Sequence, residues 1–223
     1  MLPVVILCGG LGTRLRPVTE ECPKPLVPVD GRPFLSYLLE RLEGEGVEEV
    51  VLSTGHLAEQ VDAFVERTDW SFTLRTVREE EPLGTGGALR YVADEAGLDT
   101  FVAMNGDTLF TGSVGRLVQF HESRGDAAGS IALVQTDQPD RYGRVRFDEA
   151  TGKIHGFDEK QAGIVGTVWI NAGVYVLEPV LWSSIAEGET ISLEREVFPE
   201  WVGRGFYGCR FPDADFLDIG TPD

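Results

Sequence analysis

Near the N-terminus, 22 residues gather three glycines, two arginines and a lysine: LCGGLGTRLRPVTEECPKPLVP, Leu7 to Pro28. Gly9, Gly10 and Gly12 free the backbone to take positive φ and to bring its N–H groups onto phosphate oxygens. Thr13 adds a hydroxyl, and Arg14, Arg16 and Lys24 add positive charge. Pro17, Pro23, Pro25 and Pro28 each fix φ and remove a donor, which predicts an extended, stiff segment from Arg16 to Pro28 that holds Lys24 outside any helix. The chemistry implied is a cradle for a polyphosphate. A glycine triplet alone fits an ordinary βα turn equally well. The common phosphate motifs do not fit, because Leu15 stands where a dinucleotide fingerprint needs its third glycine and no G-K-[ST] follows.

Three other groups carry reactive side chains. Asn105-Gly106-Asp107 follows the apolar run Thr100 to Met104, so a carboxylate sits just past the end of a predicted strand. In open α/β sheets ligands bind beyond the carboxyl ends of the strands, where the glycine loop also lies, so the two can share one crevice. Asp107 could equally cap a following helix. Glu79 to Leu89, EEEPLGTGGAL, reads on its own as a turn before a helix that starts near Gly87. Glu159-Lys160 reads on its own as an exposed pair at a hairpin end.

Taken together these stretches resemble the sugar-1-phosphate nucleotidyltransferases, which join a nucleoside triphosphate to a sugar 1-phosphate and release pyrophosphate. The resemblance rests on GGLGTRLRPVT followed by PKPLVPVDGRPFL, and extends through PLGTGGAL, NGDT, RYGRV, FDEK, NAG and FLDIGTP. It implies Mg²⁺ as cofactor, bound by Asp107 and Asp218, and a catalytic set of Arg14, Lys24, Asp107 and Asp218. In that set Arg14 stabilises the leaving pyrophosphate and Lys24 the α-phosphate. It implies a nucleotide site made by Leu7, Gly9, Gly10, Gly12, Thr13, Arg14, Lys24, Glu81, Gly86, Gly87, Asn105 and Gly106, with Gly86 and Gly87 letting backbone groups meet the base edge. On the sugar side it implies Tyr142-Gly143, Glu159 and Asn171 at the sugar, with Lys160 on its phosphate. The combination is most similar to the D-glycero-D-manno-heptose 1-phosphate guanylyltransferases, which makes GTP and a manno-heptose 1-phosphate the expected substrates. Mannose 1-phosphate guanylyltransferases come next, then uridylyl or thymidylyl enzymes for glucose 1-phosphate. The resemblance also implies a further helix beyond Asp223.

Two other classes bear on the same residues. A dinucleotide-dependent oxidoreductase would need an acid at the end of the second strand, where Ser53-Thr54 stands. A catalytically silent nucleotide-sugar-binding protein would keep the loops and lose the metal carboxylates, whereas Asp107 and Asp218 are both present.

The elements that must hold these residues read as alternating strand and helix. Val4 to Leu7, Val47 to Ser53, Phe72 to Val77, Thr100 to Met104 and Ser130 to Val134 are strands, with helices over Pro33 to Leu42, Leu57 to Val65 and Val114 to His121. The pattern predicts an α/β fold whose parallel sheet is covered on both faces. Past Gln135 a hairpin, Arg144 to Phe147 with Lys153 to Phe157, and a β-rich run, Val165 to Leu177, add an antiparallel extension. A helix over Ser192 to Val202 and a strand over Phe206 to Phe211 close the chain. This is the Rossmann-like, glycosyltransferase-A-like arrangement that the resemblance implies. A chain of 223 residues with 42% hydrophobic composition predicts a single domain, with residues 1 to 135 mainly for the nucleotide and 136 to 223 mainly for the sugar phosphate.

The net charge of −18 argues against nucleic acid as a partner. Residues 1 to 32 nevertheless sum to +1, so the local surplus of positive charge sits on the glycine loop. No run approaches the ~18 apolar residues of a membrane span, and no basic leader precedes the first strand. Cys8, Cys22 and Cys209 are widely spaced and odd in number, which points to reduced thiols and a cytoplasmic protein. His56, His121 and His155 are scattered and none reads as a ligand. Self-association is left open.

Overall fold

The computed structural model describes residues 1–10, 18–159 and 166–220. Its core is a nine-stranded sheet. Strand β1 (Val4–Leu7) pairs in parallel with β4 (Glu49–Thr54) on one side and β6 (Phe101–Asn105) on the other, and β5 (Thr73–Arg78) lies in parallel outside β4. The chain therefore moves outward from β1 through β4 to β5, then returns to place β6 on the opposite flank. Where strand order reverses in this way, the loops at the carboxyl ends splay apart and leave a crevice.

Both faces of β1, β4 and β6 are buried, as their apolar runs predicted, whereas the edge strand β5 is only partly covered. Alternate side chains serve different layers. Val4, Ile6, Val50, Leu52, Val102 and Met104 pack with Leu35, Leu38, Leu39 and Leu42 of α2 (Phe34–Gly44) and with Leu117 of α5 (Val114–Glu122). Val5, Val51, Phe101 and Ala103 pack on the other face with Leu89 and Val92 of α4 (Gly84–Ala96). Helix α3 (Ala58–Arg67) completes the first layer through Val61.

The long strand β11 (Val168–Leu177) joins the two parts. Its second half runs antiparallel to β6, its other edge pairs with β8 (Gly129–Thr136), and Ile170 reaches β9 (Arg144–Phe147). Strand β10 (Ile154–Asp158) pairs with β9 in the predicted hairpin, and β12 (Phe206–Phe211) extends β8 in parallel.

Three expectations are corrected. The segment between Arg16 and Pro28 is not simply extended. Among its described residues Val18–Glu21 form a helical turn, α1, and Lys24–Leu26 a 3₁₀ turn. Pro25 stands in the first turn, where its missing N–H costs nothing, and Leu26 N bonds Pro23 O at 2.8 Å. Helix α4 starts at Gly84 rather than near Gly87, because Ile191 O accepts the Gly86 N–H at 2.9 Å and so satisfies its first turn. The helix expected over Ser192 to Val202 is a π-type turn, Leu193–Val197, followed by a short α7, Phe198–Trp201. Pro199 has no N–H to continue the ladder there.

Among the described residues five short elements gave no periodic signal: the paired strands β2 (Pro28–Val29) and β3 (Arg32–Pro33), β7 (Thr108–Phe110), β13 (Phe216–Asp218) and α6 (Pro179–Trp182). Among the described residues no helix is long and apolar enough to cross a membrane.

Candidate active site

At the carboxyl ends of β1 and β6 the chain is pinned together before any side chain is considered. Leu7 lies in register with Asn105, and Gly106 N bonds Leu7 O at 3.0 Å. A Cβ on Gly106 would stand 2.4 Å from that oxygen, so only glycine lets the two strand ends approach. Asp107 is thereby set over the end of β1.

Asp218 reaches the same place through β13, which pairs antiparallel with β7 and puts Asp218 opposite Thr108. Ile219 N bonds Asp107 O at 3.0 Å, and Gly220 N bonds Asp218 Oδ1 at 2.6 Å. Lys24 arrives on its 3₁₀ turn and donates to Asp107 Oδ2. The missing Cβ of Gly220 marks the centre of the group, for it would lie 2.6 Å from Asp218 Oδ1 and 2.7 Å from Lys24 Nζ. Asp218 and Lys24 thus flank one gap beside Gly220 that a larger residue would fill, and Lys24 links that gap to Asp107.

That donor set suits one kind of ion. Among the described residues no three His, Cys, Asp or Glu side chains cluster as a complete metal cage. Two carboxylates with room beside them fit a hard, hydrated cation such as Mg²⁺, which is usually held by one or two carboxylates plus substrate phosphates.

Leu7, Gly10, Lys24, Asn105, Gly106 and Asp107 all line one small cavity of about 160 Å³. The space beside Gly10 is open, since a Cβ there would meet nothing within 4 Å. Gly9 and Glu81 line the adjoining, larger cavity of about 700 Å³. Asp218 also faces a third, of about 710 Å³, which it shares with Tyr142. Gly12, Thr13, Arg14, Arg16 and Lys160 lie outside the described residues.

The sugar-side residues are less concentrated. Gly143 is packed against the hairpin, with a would-be Cβ 2.8 Å from Asp158 O. Glu159 is exposed at the end of β10. Its neighbour Asp158 is gripped by Arg144 at 2.6 Å and Arg146 at 2.8 Å, which hold its carboxyl below the usual range. Asn171 uses its amide internally, receiving Gly173 N at 2.8 Å and donating to Tyr175 at 2.9 Å.

Gly86 and Gly87 have a packing role besides any backbone contact with a ligand. A Cβ on Gly87 would fall 2.1 Å from Glu189 O, and one on Gly86 3.0 Å from Ile191. His121 is far from this chemistry in kind as well as place, buried between Ser130 at 3.0 Å and Glu178 at 2.9 Å.

Sequence reasoning passed over Glu79. It is buried in the wall of the larger cavity, accepts Leu83 N at 3.2 Å, and would lie 2.5 Å from a Cβ on Gly9. Burial raises its pKa above the ordinary value of 4.5. The signal available was its place, since it lies two residues past the predicted strand Phe72 to Val77, on the same edge as Asp107 and the glycine loop. Cys8 also lies at this edge, but burial and Asp107 push its thiol pKa far up, so it is packing and not a nucleophile.

Comparison with known proteins gives a consistent answer along the whole chain. The family model described as nucleotidyl transferase matches residues 3–223. A mannose-1-phosphate guanylyltransferase of Mycobacterium tuberculosis is 39% identical over 98% of this chain, which spans 61% of that relative's length. A D-glycero-alpha-D-manno-heptose 1-phosphate guanylyltransferase of Aneurinibacillus thermoaerophilus is 34% identical, with 100% of this chain and 94% of the relative covered. The crystal structure of HddC from Yersinia pseudotuberculosis complexed with GMP-PN superposes with a TM-score of 0.85 at 34% identity, covering 100% of this chain and 95% of that one.

Proposed function

The chain belongs to the nucleotidyl transferase family, and from that premise we propose that it transfers a guanylyl group from GTP to a manno-configured sugar 1-phosphate, with a heptose 1-phosphate first, and releases pyrophosphate. The observation that carries the reading is the meeting of Lys24, Asp107 and Asp218 around Gly220, at the point where strand order reverses. The heptose choice is supported by the motif combination PLGTGGAL, NGDT, RYGRV, FDEK and FLDIGTP and by a relative of that activity at 34% identity, while a mannose enzyme at 39% identity also supports a manno-configured sugar. Mannose 1-phosphate is therefore the second reading.

In the proposed reaction an oxygen of the sugar phosphate attacks the α-phosphorus in line and pyrophosphate departs. No covalent intermediate is needed, so the protein's task is to align two polyanions and spread their charge. In this reading Lys24 would meet the α-phosphate, and the resemblance gives Arg14 to the leaving pyrophosphate and Lys160 to the attacking phosphate. When bound, Mg²⁺ on Asp107 and Asp218 would neutralise part of the phosphate charge.

A guanine base is supported by Glu79. Ionised carboxylates only accept hydrogen bonds, and guanine alone among the common bases has two adjacent donors, N1–H and N2–H₂, on its pairing edge. The reduced cysteines fit a cytoplasmic enzyme.

The reading is tested by crossing four nucleoside triphosphates with heptose, mannose, glucose and N-acetylglucosamine 1-phosphates and measuring pyrophosphate release in magnesium. GTP with manno-configured sugars is expected to lead. A preference for UTP or dTTP with glucose 1-phosphate would overturn the substrate assignment, and inactivity with every pair would overturn the enzyme.

A further inference from the structure

The cavity of about 710 Å³ that Asp218 shares with Tyr142 has a second wall with no role in the site described so far. That wall is the end of β8 and the turn after it, Gln135, Thr136 and Gln138, none of which is among the sugar or nucleotide residues that the resemblance gives. A space of this size takes a small-molecule ligand. Charge decides which kind. Among the described lining residues Asp137, Asp215 and Asp218 stand against Arg141, and Arg141 already donates to Gln138 Oε1 at 3.4 Å. A triphosphate or a second phosphate would meet a net negative surface there, whereas carboxylates, amides and hydroxyls suit a neutral group rich in hydroxyls. Tyr142 and Phe216, edge to face with ring centroids 5.2 Å apart, add an apolar side for the C–H bonds of a sugar.

Position decides which part of a sugar enters. Asp218 belongs both to the proposed metal pair and to this cavity, so a group beside the sugar's phosphate is the one that reaches it. In a pyranose C1 and C5 share the ring oxygen, so the chain carried on C5 leaves the ring on the flank next to the phosphate. One hydroxyl is already set in the far wall. Thr136 Oγ1 accepts Gln138 N at 3.1 Å, which closes a turn at the end of β8, fixes the side chain and leaves its one proton to donate.

We propose that this cavity seats the exocyclic chain of the sugar beyond C5, and that Thr136, with Gln135 and Gln138 beside it, selects a heptose over a hexose by bonding the additional hydroxyl. The inference rests on the functional reading above for the class of sugar. It assigns the choice between heptose and mannose to the end of β8, away from the cavity that Leu7 and Gly10 line.

The test is calorimetry with the two products, GDP-manno-heptose and GDP-mannose, which differ only by the carbon and hydroxyl that lengthen this chain, on the wild-type protein, Thr136→Val and Thr136→Ser. The wild type is expected to bind the heptose nucleotide about three- to tenfold more tightly, the scale of one hydrogen bond. Thr136→Val, which loses the hydroxyl, should bring that ratio close to one, and Thr136→Ser, which keeps it, should retain the preference. Equal affinities in the wild type, or no binding of either nucleotide, would overturn the proposal. So would a valine variant that weakens both nucleotides by the same factor or keeps the wild-type ratio. Binding needs no turnover, so a failed substrate panel and a failed chain test are separate results.

Discussion

At the scale of single residues the proposed site rests on two carboxylates, Asp107 and Asp218, that would repel each other without a cation between them. Lys24 supplies part of that cation, and its pairing with Asp107 is half sheltered, with side chains 14% and 34% exposed. Asp107→Ala and Asp218→Ala should each lower kcat/KM by about 10²–10³-fold or more, the usual scale for removing one preorganised electrostatic group. Pyrophosphate release checks the loss, and an unchanged circular dichroism spectrum checks that the fold survives. A near-native rate in either variant would remove the two-Asp site. Glu79 offers a test through pH. Its pKa is raised by burial, so the folded protein binds this proton more tightly than the unfolded chain, and the stability it brings is complete below about 4.5 and lost as pH rises through the folded value. Glu79→Gln should therefore raise Tm at pH 7.5 and change it little at pH 4, as read by thermal melts. A gap of the same size at both pH values would show that its charge is not the cause. Lys24, Asp107 and Asp218 were legible in the sequence because motif and chemistry coincide there. Glu79 was not, since three successive glutamates look alike in sequence and only the structure shows which one faces inward.

At the scale of elements the long strands and helices followed from apolar periodicity, and the departures occur where backbone needs were met from far away. The first turn of α4 is satisfied by Ile191, more than 100 residues on, a partner no local pattern can announce. Likewise β7 and β13 are each three residues long and exist because they pair with one another, yet that pairing is what brings Asp218 to Asp107. The contact of α4 with the 189–193 stretch can be probed directly. Gly87→Ala would place a methyl 2.1 Å from Glu189 O, and a forced shift of this kind costs about 1–3 kcal/mol. In a chain of this size that corresponds to a Tm lowered by roughly 3–10 °C. Gly10→Ala, with open space around it, is the control and should melt within about 1–2 °C of the wild type, since substitutions clear of any contact are worth only about 0.5 kcal/mol. Equal losses from the two would mean that the joint with 189–193 is not the reason for glycine at 87.

At the scale of the whole molecule, 37 acids against 19 bases leave a self-repulsion that the proposed binding of two anionic substrates would not favour. Salt screens such repulsion, with a Debye length of about 10 Å at 0.1 M and about 3 Å at 1 M. Tm is expected to rise from low to molar potassium chloride, and a flat or falling curve would remove the idea. Within the sheet, one strand has a consequence of a different sort. Because β11 bonds to β6 on one edge and to β8 on the other, with β9 at its start, no cut through the sheet separates the strands that carry the glycine loop from those of the hairpin without breaking its ladder. The two parts cannot open in succession, so the amide hydrogens of β11 should be released to solvent only when the entire sheet comes apart, in a single cooperative event.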